Sequence, residues 1–190
     1  NLDTFHMDDP NKSLEVILKN IVNETYATDI SKKVSSSHQM RIKQGGFICG
    51  AAPYGYTARK DEDGVRRLYV DENTASIVKE IFDAYLKGFS TLDISKLLFE
   101  KKVYIATDYR KFGKAKADEN ELIRAWIPTT ILQVLKNRVY TGTLIQGRNQ
   151  KHLFEGKKRE RLDEEHWTIT EDAHEAIISL DTFEKVQEKI

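Results

Sequence analysis

The chain has 190 residues, 39% hydrophobic and 32% charged, with 30 Lys+Arg balanced by 30 Asp+Glu. That length suits one domain with appendages or two small domains, and the neutral total names no polyanionic partner by itself. A single cysteine, Cys49, excludes an intrachain disulfide and a cysteine-rich zinc site within these residues. No apolar run approaches the ~20 residues of a membrane span and no signal-peptide pattern opens the chain, so a soluble protein of a reducing compartment, without membrane association, is expected. The start at Asn1, without Met, reads as a piece of something longer.

Charge is distributed unevenly, and the distribution carries the information. Lys32 to Lys60 holds Lys32, Lys33, Arg41, Lys43, Arg59 and Lys60 and no acid at all. Lys136 to Arg161 sets eight basic residues, among them Arg138, Arg148 and Lys151, against Glu155 and Glu160. From Leu162 to Ile190 the sign reverses, with nine acids against Lys185 and Lys189.

In chain order, Asn1 to Asp9 reads as a loop and Asp9-Pro10 as a helix start, since proline costs nothing in a first turn. Leu14, Ile17, Leu18, Ile21, Val22, Tyr26, Ile30 and Val34 recur at helical spacing, and no Gly or Pro interrupts before Gly45. One helix of roughly thirty residues is expected, its second half leaving the core where the apolar stripe fades into Ser35–Gln39. Gly45-Gly46 ends it, and the chain then runs extended through Ala52-Pro53-Tyr54-Gly55-Tyr56. Tyr54–Arg59 and Val65–Val70 form a hairpin turned by Asp63-Gly64. Asp71 caps a helix with the face Ala75, Val78, Ile81, Phe82, Tyr85 and Leu86, stopped by Gly88. Ser90 with Asp93 caps another, burying Ile94, Leu97 and Leu98. Val103–Ala125 reads as a loop, with a short helix at Asp118–Arg124. Pro128 opens a helix to Asn137 that buries Ile131, Val134 and Leu135 and turns Thr129, Thr130, Gln133 and Lys136 outward. Val139–Gly147 is a strand with an antiparallel partner at His166–Ile169, and Ser179–Ile190 is a closing helix. The fold class is mainly α with small β-hairpins (α+β), a helix-turn-helix-like domain preceded by a long helix.

Enzyme signals are weak. Ser37 and His38 are adjacent, but neighbours on one helix diverge by about 100° and do not face each other. The nucleic-acid signal is stronger. Two short capped helices, the second with a polar outer face, have the outline of a helix-turn-helix whose second helix enters the major groove. There Thr methyls touch thymine, Gln pairs with adenine, and Lys reaches guanine or phosphate. The basic segments add counterion-release affinity. Gly45, Gly46 and Gly50 remove side chains where a backbone can run close to DNA. Tyr54 and Tyr56 are candidates for base contact, although the same alternation suits the core better.

A recognisable order of motifs accompanies these features: Asn23 to Val34, Gly45-Gly46-Phe47, Ala52 to Tyr56, Ile77 to Phe82, Ile94 to Leu98, Trp126, Thr130 to Asn137, Val139 to Gly142, His174 to Ile178, and Phe183 to Gln187. It resembles the large serine recombinases of phages and conjugative elements over roughly Ser13 to Ile190. The resemblance implies an integrase or transposase that cuts both DNA partners with a serine, in the cytoplasm and on the nucleoid. That serine belongs to a domain of which only the last long helix, Ser13 to about Gln44, is present, so this segment would not cut DNA alone. It also implies double-stranded attachment-site DNA as partner and self-association of the parent as dimer or tetramer. No cofactor is implied within this segment, the family's zinc ribbon being expected further along. Residues 1–45 would be loop and linker helix, 46–147 the DNA-binding domain, and 148–190 a basic loop, strand and helix. Two departures stand out: Ile127 occupies a cap position where Ser is usual, and the insert Val103–Ala125 is longer than the usual turn.

The DNA contacts expected are therefore Arg41, Lys43, Gly45, Gly46, Tyr54, Tyr56, Arg59, Thr129, Thr130, Gln133, Lys136, Arg138, Arg148 and Lys151. The rival class is a protein-interaction module, with the long helix paired to another chain and the basic loops merely solvated.

Overall fold

A computed structural model describes residues 10–150 and 160–190. The expected loop at Asn1–Asp9 and most of the basic loop, Lys151 included, lie outside the described residues.

Helix α1 runs Pro10–Lys43 without interruption. Its i, i+4 ridge of Leu14, Leu18, Val22, Tyr26, Ile30 and Val34 is exposed, and among the described side chains of the helix only Ile42 is buried. The apolar stripe therefore stands clear of the core from Leu14 to Val34, in the first half of the helix as well as the second, while its last turns are buried at Ile42. It ends in two glycine-dependent bonds: the Gly45 N–H reaches the Ile42 carbonyl at 2.9 Å and the Gly46 N–H the Arg41 carbonyl at 2.8 Å. With Gly45 at φ +74°, this is the left-handed helix stop that satisfies the last carbonyls.

Strands β1 (Tyr56–Lys60) and β2 (Arg66–Val70) pair antiparallel from Tyr56 opposite Val70 to Lys60 opposite Arg66. Helix α2, Glu72–Leu86, starts where Asp71 accepts from the Asn73 N–H and the Thr74 hydroxyl. Helix α3, Thr91–Glu100, opens with Ser90 and Asp93 bonding reciprocally, as the sequence spacing predicts. Helix α4, Ala106–Phe112, lies in the insert, where a loop was expected. The helix expected at Asp118–Arg124 does not form. Instead Lys102 and Tyr104 exchange backbone bonds with Ala117 and Ala115, which folds the insert back on itself.

Helix α5 spans Pro128–Leu135. A 3-10 turn at Arg138–Thr141 takes up the first half of the strand expected from Val139. Gly142 then adopts φ +85°, with the His174 carbonyl 2.9 Å from where a Cβ would stand, so the backbone turns before β3 (Leu144–Gln146) begins. Strand β3 pairs with β6 (Thr168–Thr170), and β4 (Asn149–Gln150) with β5 (Glu160–Arg161). Helix α6, Leu180–Lys189, is capped by Ser179.

The architecture is α+β, as expected. Helix α2 is the centre, with α3, α5 and α6 packed around it. Val78, Ile81, Phe82, Ile94, Leu98, Ile131, Leu135 and Val186 are fully buried, each contributing about 1.5–3 kcal/mol of transfer free energy. One hydrophobic cluster runs from Phe47 to Val186, so the boundary drawn after residue 147 passes through a shared core. No helix among the described residues is long and apolar enough to cross a membrane.

Candidate nucleic-acid interface

Helix α5 is seated from three directions. Its inner residues Ile131, Val134 and Leu135 enter the core. Before its first turn, Trp126 is buried and its carbonyl accepts from the Ser95 hydroxyl of α3 at 2.5 Å. At its end, the Gln187 side chain of α6 donates to the Leu135 carbonyl at 2.8 Å. The start carries no side-chain cap: Ile127 takes that position, and Pro128 in the first turn has no N–H to satisfy. With its inner side fixed, the helix has one face left. Thr129, Gln133 and Lys136 are exposed, as the periodicity predicts, whereas Thr130, also expected outward, is half-buried. Among the described residues none of these four side chains is held in a hydrogen bond or ion pair, so all remain available to a ligand. Arg138, one turn on, is also exposed.

The connector differs from its sequence reading. Residues 52–56 are not extended: the Tyr56 N–H bonds the Pro53 carbonyl at 3.0 Å and Gly55 takes φ +95°, which makes a turn. Tyr54 and Tyr56 are buried, and this withdraws both from the expected DNA contacts. Tyr54 packs edge-on to Trp126, with ring centroids 5.0 Å apart, and the Tyr56 hydroxyl donates to the Glu175 carbonyl at 2.9 Å. Desolvation by burial raises the pKa of both phenols.

Gly46 is corrected as well. It is buried, and a Cβ there would lie 2.6 Å from the Arg41 carbonyl oxygen and 2.7 Å from Val65, so its smallness serves the fold. Gly45 serves the helix stop. Nor is the junction a loose hinge. Gln146, buried in β3, donates to the Gly46 carbonyl at 2.8 Å and accepts from the Ile48 N–H at 2.9 Å. Its amide thus acts as a strand partner for residues 46–48. The Phe47 N–H bonds the Arg66 carbonyl from the other side at 2.6 Å. Sequence reasoning passed over Gln146, although a polar residue two positions from Leu144 on an inward face was the available signal.

Arg41 and Lys43 remain exposed at the end of α1, where they also complement the negative end of its dipole. The acid-free stretch is not acid-free in space. Arg67 donates to Asp61 and Asp63 and reaches the Gln44 carbonyl at 3.4 Å, which brings two carboxylates to the helix end. The Asp61 pKa is lowered first by the Tyr69 hydroxyl and then by Arg67, and that of Asp63 first by Arg67. Arg59 is exposed over the Tyr69 ring, and Arg148 stacks 4.9 Å from the Trp167 ring centroid.

The insert neutralises most of its own charge. Lys114 pairs with Asp118 and Glu121, and Arg124 with Asp108. Glu121, bonded first by Lys114, then by the Asp118 N–H and Tyr104, has its pKa lowered to about 2.

These features define an α+β domain that presents a supported helix face beside a basic junction. The Recombinase family model matches residues 72–190, and the chain belongs to that family, in line with the resemblance of its motifs to serine recombinases. The match begins after the hairpin, so it does not extend to the earlier motifs between Asn23 and Tyr56. The uncharacterized protein YefB of Bacillus subtilis (strain 168) is 40% identical over 63 residues, covering 33% of this chain and 21% of that protein. Two solved structures are similar at 20% identity and a TM-score of 0.48 over 82% of this chain. One is a crystal structure of an LSR–DNA complex, of which 36% is covered. The other concerns the sequence requirements of the Listeria innocua prophage attP site, and 50% of it is covered. The chain therefore spans between a fifth and a half of the proteins it resembles.

Proposed function

We propose that this chain binds duplex DNA with sequence specificity, as the DNA-reading part of a site-specific serine recombinase that integrates or excises a mobile element. Helix α5 enters the major groove. The observation that carries the reading is its free outer face of Thr129, Gln133 and Lys136, on a helix whose other side is locked into the core. A groove-reading helix needs both halves, because base contacts specify only when the backbone behind them is rigid. Arg41, Lys43, Arg59 and Arg138 supply phosphate contacts beside it, and Gly45 leaves the backbone open there. Family membership supports the same reading. Strand cleavage belongs to a serine domain outside these 190 residues, and the reading needs no metal or cofactor within them.

The test is a titration of the chain against its attachment-site duplex and against random duplex. Gln133→Ala should lose about 1–3 kcal/mol of discrimination at one or two base pairs, while binding to random duplex stays level. An equal loss on every sequence would remove α5 from the groove.

A second reading concerns assembly. The exposed ridge Leu14–Val34 favours pairing of α1 with a helix of another chain of the parent recombinase, as dimer or tetramer. Sedimentation of the chain against a Leu18→Glu/Tyr26→Glu variant tests it: pairing predicts a concentration-dependent complex that the variant loses.

A further inference from the structure

The insert between α3 and α5 builds one wall of a groove. Strand β1 also lines it, and so does the small-residue run Gly50-Ala51-Ala52-Pro53, which we take as its floor. The groove has a volume of about 920 Å³, and Arg59, Arg66 and Arg110 line it.

The three arginines are not equivalent. Arg66 donates to the Cys49 and Gly50 carbonyls at 2.8 and 3.0 Å, and so holds the floor in place. Arg59 lies over the Tyr69 ring on the hairpin side. Arg110, on α4, is exposed and makes no hydrogen bond or ion pair among the described residues. Nearby, Lys114 is paired with Asp118 and Glu121, and Arg124 with Asp108, whereas Arg110 stays free at the groove.

The helix carrying Arg110 is also held firmly. Tyr109, one residue before it, is half-buried and meets the buried Tyr54 ring edge-on at 5.9 Å. Arg124 straps Thr107 and Asp108 from outside. Of the acids at the groove, Asp71 is buried and occupied with capping α2, and Glu72 is exposed at the rim. Two cations lining one groove, beside a run without long side chains, suit a chain of phosphates better than a compact anion. Gly50 adds to this fit: a Cβ there would meet nothing within 4 Å, so the floor lies open.

We infer that this groove receives the sugar-phosphate backbone of the bound duplex, and that Arg110 of the insert is a phosphate contact in the groove it shares with Arg59. The insert thereby becomes part of the DNA-binding surface. This rests on the DNA-binding reading above and assigns it a second contact line, away from α5.

The experiment measures affinity of the whole chain for a random-sequence duplex by fluorescence anisotropy across a salt series. Variants are Arg110→Ala, Arg110→Lys and Lys185→Ala, with thermal melts to confirm folding. Each phosphate contact contributes about 0.9 to the slope of log affinity against log salt. Arg110→Ala should lower the slope by about one and weaken low-salt binding by roughly 3- to 10-fold. Arg110→Lys should keep the slope, and Lys185→Ala, whose charge is paired with Asp181 on α6, should match wild type. Salt-dependent binding that Arg110→Ala leaves unchanged would overturn the groove and leave the α5 reading standing. Absence of salt-dependent binding by the wild-type chain would overturn both.

Discussion

Helix α5 and the connector at residues 45–56 were both expected to touch DNA, and the fold treats them in opposite ways. Helix α5 keeps its outer face free because every supporting contact comes from behind: Trp126, Ser95 and Gln187 hold its backbone, and Ile131 and Leu135 fill the core. The connector spends its distinctive residues on the fold. Gly45 and Gly46 stop α1, Tyr54 and Tyr56 enter the core, and Gln146 binds residues 46–48 as a strand would. The difference teaches that a free side chain requires a committed backbone elsewhere. What the connector offers a ligand is position, carried by Arg41, Lys43 and the groove beyond Gly50.

The comparison can be broken at its shared support. Trp126 touches both regions, packing on Tyr54 and preceding α5. Trp126→Ala should cost about 3–5 kcal/mol in urea unfolding, the largest effect among these variants. A loss below 1 kcal/mol would mean that α5 does not depend on this seat.

Next in size is the clamp. Gln146→Ala leaves the half-buried Ile48 N–H and the buried Gly46 carbonyl without their Gln146 partner, at about 1–3 kcal/mol. Amide exchange at Ile48 should speed up markedly while exchange within α5 stays slow. Unchanged protection at Ile48 would return the junction to a free hinge.

A smaller effect follows from His174. Its Nε2 lies 2.7 Å from the Val139 carbonyl, and its buried Nδ1 has no partner among the described residues. Desolvation lowers its pKa, opposed by the Val139 bond. A lowered value means that the unfolded chain takes the proton first, so stability is full above the unfolded pKa of about 6.5 and declines as pH falls through and below it. The melting temperature should drop on going from pH 7.5 to 5.5, and His174→Gln should flatten that part of the profile. The same slope in the variant would assign it to other groups.

Smallest in stability is Lys43→Ala. It should leave the melting temperature in place and reduce the salt slope of DNA binding by about one on all sequences. A sequence-dependent loss would make Lys43 a base contact and erase the contrast with α5.

Legibility followed the range of the interaction. The caps Asp71, Ser90 with Asp93, and Pro128 act over two or three residues, and each helix starts where they stand. The hairpin turn is equally local. Helix α4 escaped because its seven residues lie in a charged insert, where Ile105, Ala106 and Tyr109, packed against the core, give a helical face of few positions. The 3-10 turn at Arg138–Thr141 escaped because its β-branched and aromatic residues suit a strand, whereas the turn is set by Asn137, which caps it at the Val139 N–H, and by Gly142 at φ +85°.

By itself, the sequence determined helices α1, α2, α3, α5 and α6 and the outward set Thr129, Gln133 and Lys136. These depend on periodicity and short-range bonds, which are written in neighbouring residues. Tertiary structure alone decided that Tyr54 and Tyr56 are core, that Asp61 and Asp63 adjoin the basic helix end, and that Gln146 holds a junction about a hundred residues away. It also decided that Arg110 lines a groove with Arg59. Those outcomes depend on which distant surfaces are desolvated together, and one strand of residues does not record that.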